Sequence, residues 1–241
     1  MSRNRQSGNV GNLGDIIKHA ALVELASLLV GTGEPVSFVD THTFRLHAPL
    51  AMPERFHREV AEHLKQYPAA ARYFEIERAS LERSGDYRCS SGLMLDVLGP
   101  HRSAAVLGEA NGLTRAELRE QIAEEGHPSV YVVDDASAVD RDARIPAGEA
   151  LLVHVDPFAL TPAAFAPIAP ALDALAARAS AAVFVLYSYT RAARTEWPAA
   201  PTGTSFVAES RSAPHECALY VSAQLAESAR SVATLLGWRL R

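Results

Sequence analysis

The stretch Leu151-Leu152-Val153-His154-Val155-Asp156-Pro157-Phe158-Ala159 decides the fold. An apolar run of strand length, closed by a carboxylate and a proline, is the pattern of a buried parallel strand opening onto a loop at its carboxyl end. The same pattern repeats outward from it. Residues 36–40 form a short apolar strand ending at Asp40, and 103–108 a strand ending at Glu109. Residues 130–133 precede Asp134-Asp135, and 182–186 precede Tyr187. Helical periodicity fills the gaps. Residues 13–30 carry a broad apolar face through Ile16, Ile17, Ala20, Ala21, Val23, Leu25, Leu28 and Leu29, and 91–98, 114–125 and 162–179 read as further helices. Strands alternating with helices predict a doubly wound parallel α/β sheet. Two more strands, around 205–208 and 217–221, flank a helix-rich tail that reaches Trp238.

A chain of 241 residues with 48% hydrophobic and 21% charged content is ordinary for a globular protein, and α/β chains of this length commonly form one domain. Residues 1–241 are therefore read as a single domain. Within it, about 47–90 is a polar, helical inserted subdomain in which Pro68 divides two amphipathic pieces. The net charge is −5, and Lys18 and Lys65 are the only lysines. Nucleic-acid binders gather Lys and Arg into a stripe that neutralises phosphates. Scattered arginines in an acidic total weigh against RNA as a partner. Cys89 and Cys217 stand far apart, outside any metal-ligand spacing, and read as small core residues. No apolar run is long enough to span a bilayer, and Met1-Ser2-Arg3-Asn4-Arg5 opens no signal-peptide core. A cytoplasmic location, with no membrane partner, is expected.

Asp40, Glu109, Asp135 and Asp156 each follow an apolar run, so all four should crowd one rim of the sheet, where open α/β sheets bind ligands. One acidic strand end is more often a cap or turn residue than a ligand. Four in succession are harder to dismiss. Glu109, at the second such strand, suits ribose hydroxyls because a carboxylate accepts from both. Tyr187-Ser188-Tyr189-Thr190 should face the same rim. One tyrosine can pack under the sheet and the other lie at the surface, or Tyr187 or Tyr189 can set its ring against a cation and steer a proton with its hydroxyl. Ser210 and Ser212 are weaker candidates for the same pocket. His19 taken alone is as well explained by bonds to backbone, and neither it nor His42 has a third ligand at zinc spacing, so no metal site is expected. No phosphate-binding glycine loop or Gly-X-Ser-X-Gly elbow occurs.

Gly11-Asn12-Leu13-Gly14-Asp15-Ile16-Ile17-Lys18-His19, Asp40-Thr41-His42 and the Tyr87–Ser91 turn are similar to signatures of the large-subunit ribosomal RNA adenine methyltransferases, which use S-adenosylmethionine (SAM). The resemblance covers nearly the whole chain. It implies a Rossmann-like class I SAM-dependent methyltransferase fold with a small helical insertion. It also implies SAM contacts at His19, His42, Ser90, Glu109, Asp135, Ala136 and Asp156. The chain departs from that family in two places. The family's Ala-Gly-Ala-Gly loop after Asp-Thr-His, which lets backbone approach SAM, is Thr43-Phe44-Arg45-Leu46 here. Its Asp-Pro-Pro-Tyr motif, in which the tyrosine stacks on an extruded base, is Asp156-Pro157-Phe158-Ala159. Ala159 cannot stack, and Phe158 stands one position early.

A retained cofactor set beside an altered acceptor motif implies a SAM enzyme of small-molecule chemistry. One form resembles the azetidine-2-carboxylate synthases: the amino nitrogen of SAM closes on its own side chain, releasing methylthioadenosine. Asp156 would then hold or deprotonate the amine, with Tyr187 and Phe158 shielding the sulfonium. Methyl transfer to a small acceptor fits the same residues. The alternatives are a ribosomal RNA adenine-N6 methyltransferase with a relaxed motif and a non-catalytic SAM-binding module.

Overall fold

The computed structural model describes residues 10–140, 144–157, 159–190, 195–212 and 214–241. The long helix α1 (Leu13–Val30) begins where Asn12 caps it, its side chain accepting from the Gly14 and Asp15 N–H groups, while Asp15 reaches back to the Gly11 N–H at 2.8 Å. These bonds satisfy donors that the first helical turn leaves unpaired. Most of α1 is buried, Lys18 and His19 included, because the sheet lies on one side and the insertion on the other.

The remaining elements follow in order: β1 (Val36–Asp40), β2 (His47–Pro49), α2 (Pro53–Gln66), α3 (Ala71–Ser84), β3 (Asp86–Arg88), α4 (Ser90–Leu98), β4 (Arg102–Gly108), α5 (Gly112–Glu124) and β5 (Val130–Val133). After them come β6 (Ala150–Val155), α6 (Pro162–Phe165), α7 (Ala169–Arg178), β7 (Ala181–Tyr189), β8 (Thr204–Ser212), β9 (His215–Ser222), α8 (Ala226–Leu235) and β10 (Arg239–Leu240). The eight-stranded sheet runs β10-β8-β9-β7-β6-β1-β4-β5. Its strands β5, β4, β1, β6 and β7 are mutually parallel, and β9 is antiparallel to both β7 and β8. The Rossmann-like class I fold with a helical insertion, expected from the sequence, is the one observed. The insertion comprises α2, α3 and the two-stranded β2–β3 sheet.

Period-two alternation sorts each strand's side chains onto two cores. Phe38, Leu152, Val183, Val185 and Tyr187 face the layer that contains α1, α4 and α8, whereas Val39, Val153, Phe184 and Leu186 face α7. Three boundaries differ from the sequence reading. The helix expected over 162–179 is split into α6 and α7, because Pro167 has no N–H to continue the ladder. Strand β7 runs through Tyr187 to Tyr189 and does not end before them. The last two strands are longer than expected and form a hairpin, so Ser210 and Ser212 lie within β8. In both cases antiparallel pairing extends the strands past the apolar stretch: Tyr187 sits opposite Cys217, and Tyr189 and Ser212 both sit opposite His215. Cys89 and Cys217 are free and buried. Among the described residues no helix is long and apolar enough to cross a membrane.

Candidate active site

From β1 the chain passes to β4 and β5 on one side and returns to β6 and β7 on the other. That reversal opens a crevice between the carboxyl ends of β1 and β6, where loops leave in opposite directions. A cavity of about 930 Å³ lies there. The tip of β1 contributes His42 and Phe44, β6 contributes Asp156, β7 contributes Tyr187 and Tyr189, and α1 contributes Asp15, Lys18 and His19. Ser90, His215, Asn12, Arg55 and Tyr87 add further polar lining.

Lys18 organises the centre. Its ammonium lies 2.9 Å from Asp15 Oδ1, ion-pairs with Asp156 Oδ2, and stands 4.7 Å from the centroid of the Tyr187 ring. Burial alone would lower the Lys18 pKa, but Asp15 and Asp156 outweigh it and hold the group charged, well above its ordinary value. The cation against Tyr187 is therefore a lysine of the protein itself. The Tyr187 hydroxyl lies 2.7 Å from His215 Nδ1, and burial raises the Tyr187 pKa and lowers that of His215. Both are thus neutral near pH 7. Gly14 is required beside them, since a Cβ there would meet His215 Nδ1 at 2.4 Å and the Tyr187 hydroxyl at 2.5 Å.

Below this layer Asp40 is fully buried and serves as a platform. It accepts from the Ser90 and Ser91 hydroxyls at 2.8 Å each and from the His42 N–H at 3.2 Å, and it lies 3.3 Å from His154 Nδ1. Desolvation would raise its pKa, but His154 and the two serines outweigh that and hold it well below the carboxylate range. Its expected place on the open rim is thus corrected: it holds the rim from beneath. Ser90, whose hydroxyl donates its hydrogen bond to Asp40, presents oxygen lone pairs to the cavity.

The other strand-end residues lie outside the cavity's lining. Glu109, at the end of β4, accepts from the Asn111 N–H at 2.6 Å, and burial raises its pKa. Asp135 accepts from the Ser137 N–H at 2.8 Å, capping the turn that Ala136 opens, as a bland reading of an acidic strand end anticipates. Both follow strands on the β4–β5 side of the crevice. Ser210 and Ser212 are likewise not among the lining residues, and Phe158 lies outside the described residues. In the altered loop Phe44 lines the cavity, Leu46 turns into the core, and Arg45 reaches out to Glu117.

The sequence reading placed Lys18 within the Gly11–His19 signature without giving it a role, and it missed His215 altogether. A lysine in a helix reads as solvated, yet Lys18 falls between Leu25 and Leu29 on the apolar face, which was a further signal. His215 had none, because only strand pairing brings it to Tyr187.

No family model matches the chain, and no curated protein matches it. A solved structure of a Legionella pneumophila protein, described as family DUF519, covers 94% of this chain and 94% of its own, with a TM-score of 0.65 and 14% identity. The two share a fold. An rRNA methylase from Streptococcus thermophilus covers 85% of this chain and 95% of its own (TM-score 0.47, 9% identity). The SAM-bound magnesium protoporphyrin IX methyltransferase from Synechocystis PCC 6803 covers 92% of each chain (TM-score 0.45, 10% identity).

Proposed function

We propose that the chain is a SAM-dependent enzyme whose chemistry is confined to small molecules, with the methionine tail of SAM itself as the reacting nucleophile. The observation that carries this reading is the Lys18–Asp156 ion pair inside the cavity. A flipped adenine would need Asp156 to receive its amine and an aromatic ring to stack on. Here Ala159 has no ring, and Lys18 stands against Oδ2 of Asp156, so the carboxylate is left to hold a small amine and not a whole base.

The residues present suit SAM. Glu109 would take the ribose hydroxyls and the Asp135–Ala136 turn the adenine, on the β4–β5 side. His19, His42, Ser90 and Asp156 would surround the amino-acid part, with Phe44 and Tyr189 as aromatic walls for the sulfonium. The Ser90 lone pairs and the Asp156 carboxylate both favour an amine there. SAM supplies a carbon made electrophilic by the adjoining sulfonium. In the cyclisation the amino nitrogen forms a bond to the side-chain carbon as that carbon's bond to sulfur breaks. The products are azetidine-2-carboxylate and methylthioadenosine, and one proton leaves the ammonium beforehand. Asp156 orients that nitrogen, and the Tyr187–His215 pair is the neutral acceptor through which the proton departs.

Incubating the protein with SAM alone and identifying products by mass spectrometry tests this reading. Methylthioadenosine and a four-carbon cyclic amino acid above the no-enzyme rate, both lost in Asp156→Asn, are expected. Intact SAM would sink self-cyclisation. Salt-dependent thermal stabilisation by ribosomal RNA would instead favour the RNA methyltransferase reading.

A further inference from the structure

We infer that the hydroxyls of Tyr73 and Tyr87 are positioning groups that fix the proton of His19 on Nε2, making this imidazole a hydrogen-bond donor whose ligand partner must be an acceptor. The argument is one of proton order. Tyr73, Tyr87 and His19 are all buried, and their polar atoms form a chain: Tyr73 Oη to Tyr87 Oη at 2.8 Å, then Tyr87 Oη to His19 Nδ1 at 2.8 Å. Among the described residues Tyr87 is the only hydrogen-bond partner of the Tyr73 hydroxyl. A buried hydroxyl hydrogen with no acceptor is strongly disfavoured, so Tyr73 donates to Tyr87. Each hydroxyl has a single hydrogen, so Tyr87 donates its own to His19 Nδ1. The reverse order would leave the Tyr73 hydrogen bonded to nothing.

Nδ1 is thereby the acceptor, and a neutral imidazole then carries its hydrogen on Nε2. Burial first, and Lys18 second, push the His19 pKa well below its ordinary value, so the ring stays neutral. The ring is also held in orientation. It is stacked 5.9 Å from the Tyr87 ring and meets Tyr73 edge-on at 6.0 Å. Its Nε2 is buried and has no partner among the described residues, although His19 lines the cavity. The fold has thus aligned a donor that the protein itself does not use.

If the cavity is the SAM site, as proposed above, the acceptor belongs to the amino-acid part of the ligand, and its carboxylate is the strongest acceptor there. The tautomer itself does not depend on that reading. Insertion residues on α3 and β3 would then govern how a ligand is gripped from α1, although Tyr73 touches no ligand.

The test is long-range ¹H–¹⁵N correlation on histidine-labelled protein, with His19 assigned by its loss in His19→Gln. Wild-type His19 is expected to show a protonated Nε2 and a pyridine-like Nδ1 between pH 6 and 8. Tyr73→Phe should leave the Nε2–H form in place, because His19 Nδ1 is then the one acceptor that remains for the Tyr87 hydrogen among the described residues. Tyr87→Phe should remove the preference altogether. S-adenosylhomocysteine, which has the amino-acid tail, should shift the Nε2 resonance, and methylthioadenosine, which lacks it, should not. Tyr87→Phe should weaken S-adenosylhomocysteine about tenfold and leave methylthioadenosine within about twofold. A protonated Nδ1 in the wild type or in Tyr73→Phe, or a tautomer unmoved by Tyr87→Phe, overturns the inference. Should neither nucleoside bind, the SAM reading fails while the tautomer measurement still decides the proton order.

Discussion

Replacing Lys18 by Met would test the centre of the site most directly. The side chain is nearly isosteric, so the packing around α1 survives while the ammonium disappears. Two carboxylates, Asp15 and Asp156, are then left facing each other with side chains only 15% exposed. Removing one partner of a buried pair costs about 3–5 kcal/mol, and the residual exposure of both acids places this case near the lower end, about 3 kcal/mol. For a chain of this size each kcal/mol lowers the melting temperature by about 2–4 °C, giving a fall of about 6–12 °C. The pH dependence has a definite sign. In the wild type the raised Lys18 pKa contributes stability that is complete below pH 10.5 and is lost only as pH climbs beyond it. In the variant the two carboxylates repel each other with no cation between them, so the deficit is full where both are charged and shrinks as acid removes that repulsion. Calorimetry at pH 8, 7, 6 and 5, with Lys18→Met/Asp156→Asn as the second arm, reads this out. The double variant should recover most of the loss, because the residual like-charge repulsion is gone. A single-variant deficit under about 1 kcal/mol, or one that widens on acidification, would refute the role assigned to the pair.

Three further outcomes are expected. Gly14→Ala should cost about 1–2 kcal/mol after its helix-propensity gain, since its Cβ pushes the Tyr187–His215 pair apart, and turnover should fall more than stability does; equal losses in turnover and melting temperature would contradict this. Asp40→Asn should destabilise by about 1–3 kcal/mol, because an amide has only one oxygen and cannot accept from both serines at one position and from the His42 N–H at the other, as the carboxylate does. Asp40 has a depressed pKa, so its contribution is present above about pH 4 and is lost as pH falls toward the folded value; denaturation curves of the two proteins should therefore stay parallel from pH 8 to 5 and converge only in stronger acid. Glu109→Ala should weaken SAM binding about tenfold in calorimetric titration with little change in melting temperature, and an unaltered affinity would remove it from the ribose role.

The architecture was legible in the chain because its signals are local. Apolar runs of strand length, helical periodicity and proline breaks each act over a few residues, so the helix from Leu13 and the strands ending at Asp40, Gly108 and Val155 were anticipated almost to the residue. The acidic strand ends followed from the same pattern, as did their common edge. Their individual roles did not. Asp40 and Asp156 look alike in sequence, yet one is sealed under two serines and a histidine while the other opens onto the cavity. That difference arises from what the neighbouring strand and helix bring against each carboxylate.

What tertiary structure alone decided is the pairing. Lys18 and Asp156 are 138 positions apart, and their attraction depends on distance and burial, neither of which a linear pattern records. His215 reaches Tyr187 only because β9 pairs antiparallel with β7 in one register, and a shift of one residue would turn it to the opposite face. The proton order of Tyr73, Tyr87 and His19 likewise exists only once three separate elements close around it. Sequence by itself therefore determined the strands, the helices and the edge at which open α/β sheets offer a crevice, since these follow from short-range periodicity. The chemistry at that edge was decided by folding, since charges and protons respond to neighbours in space.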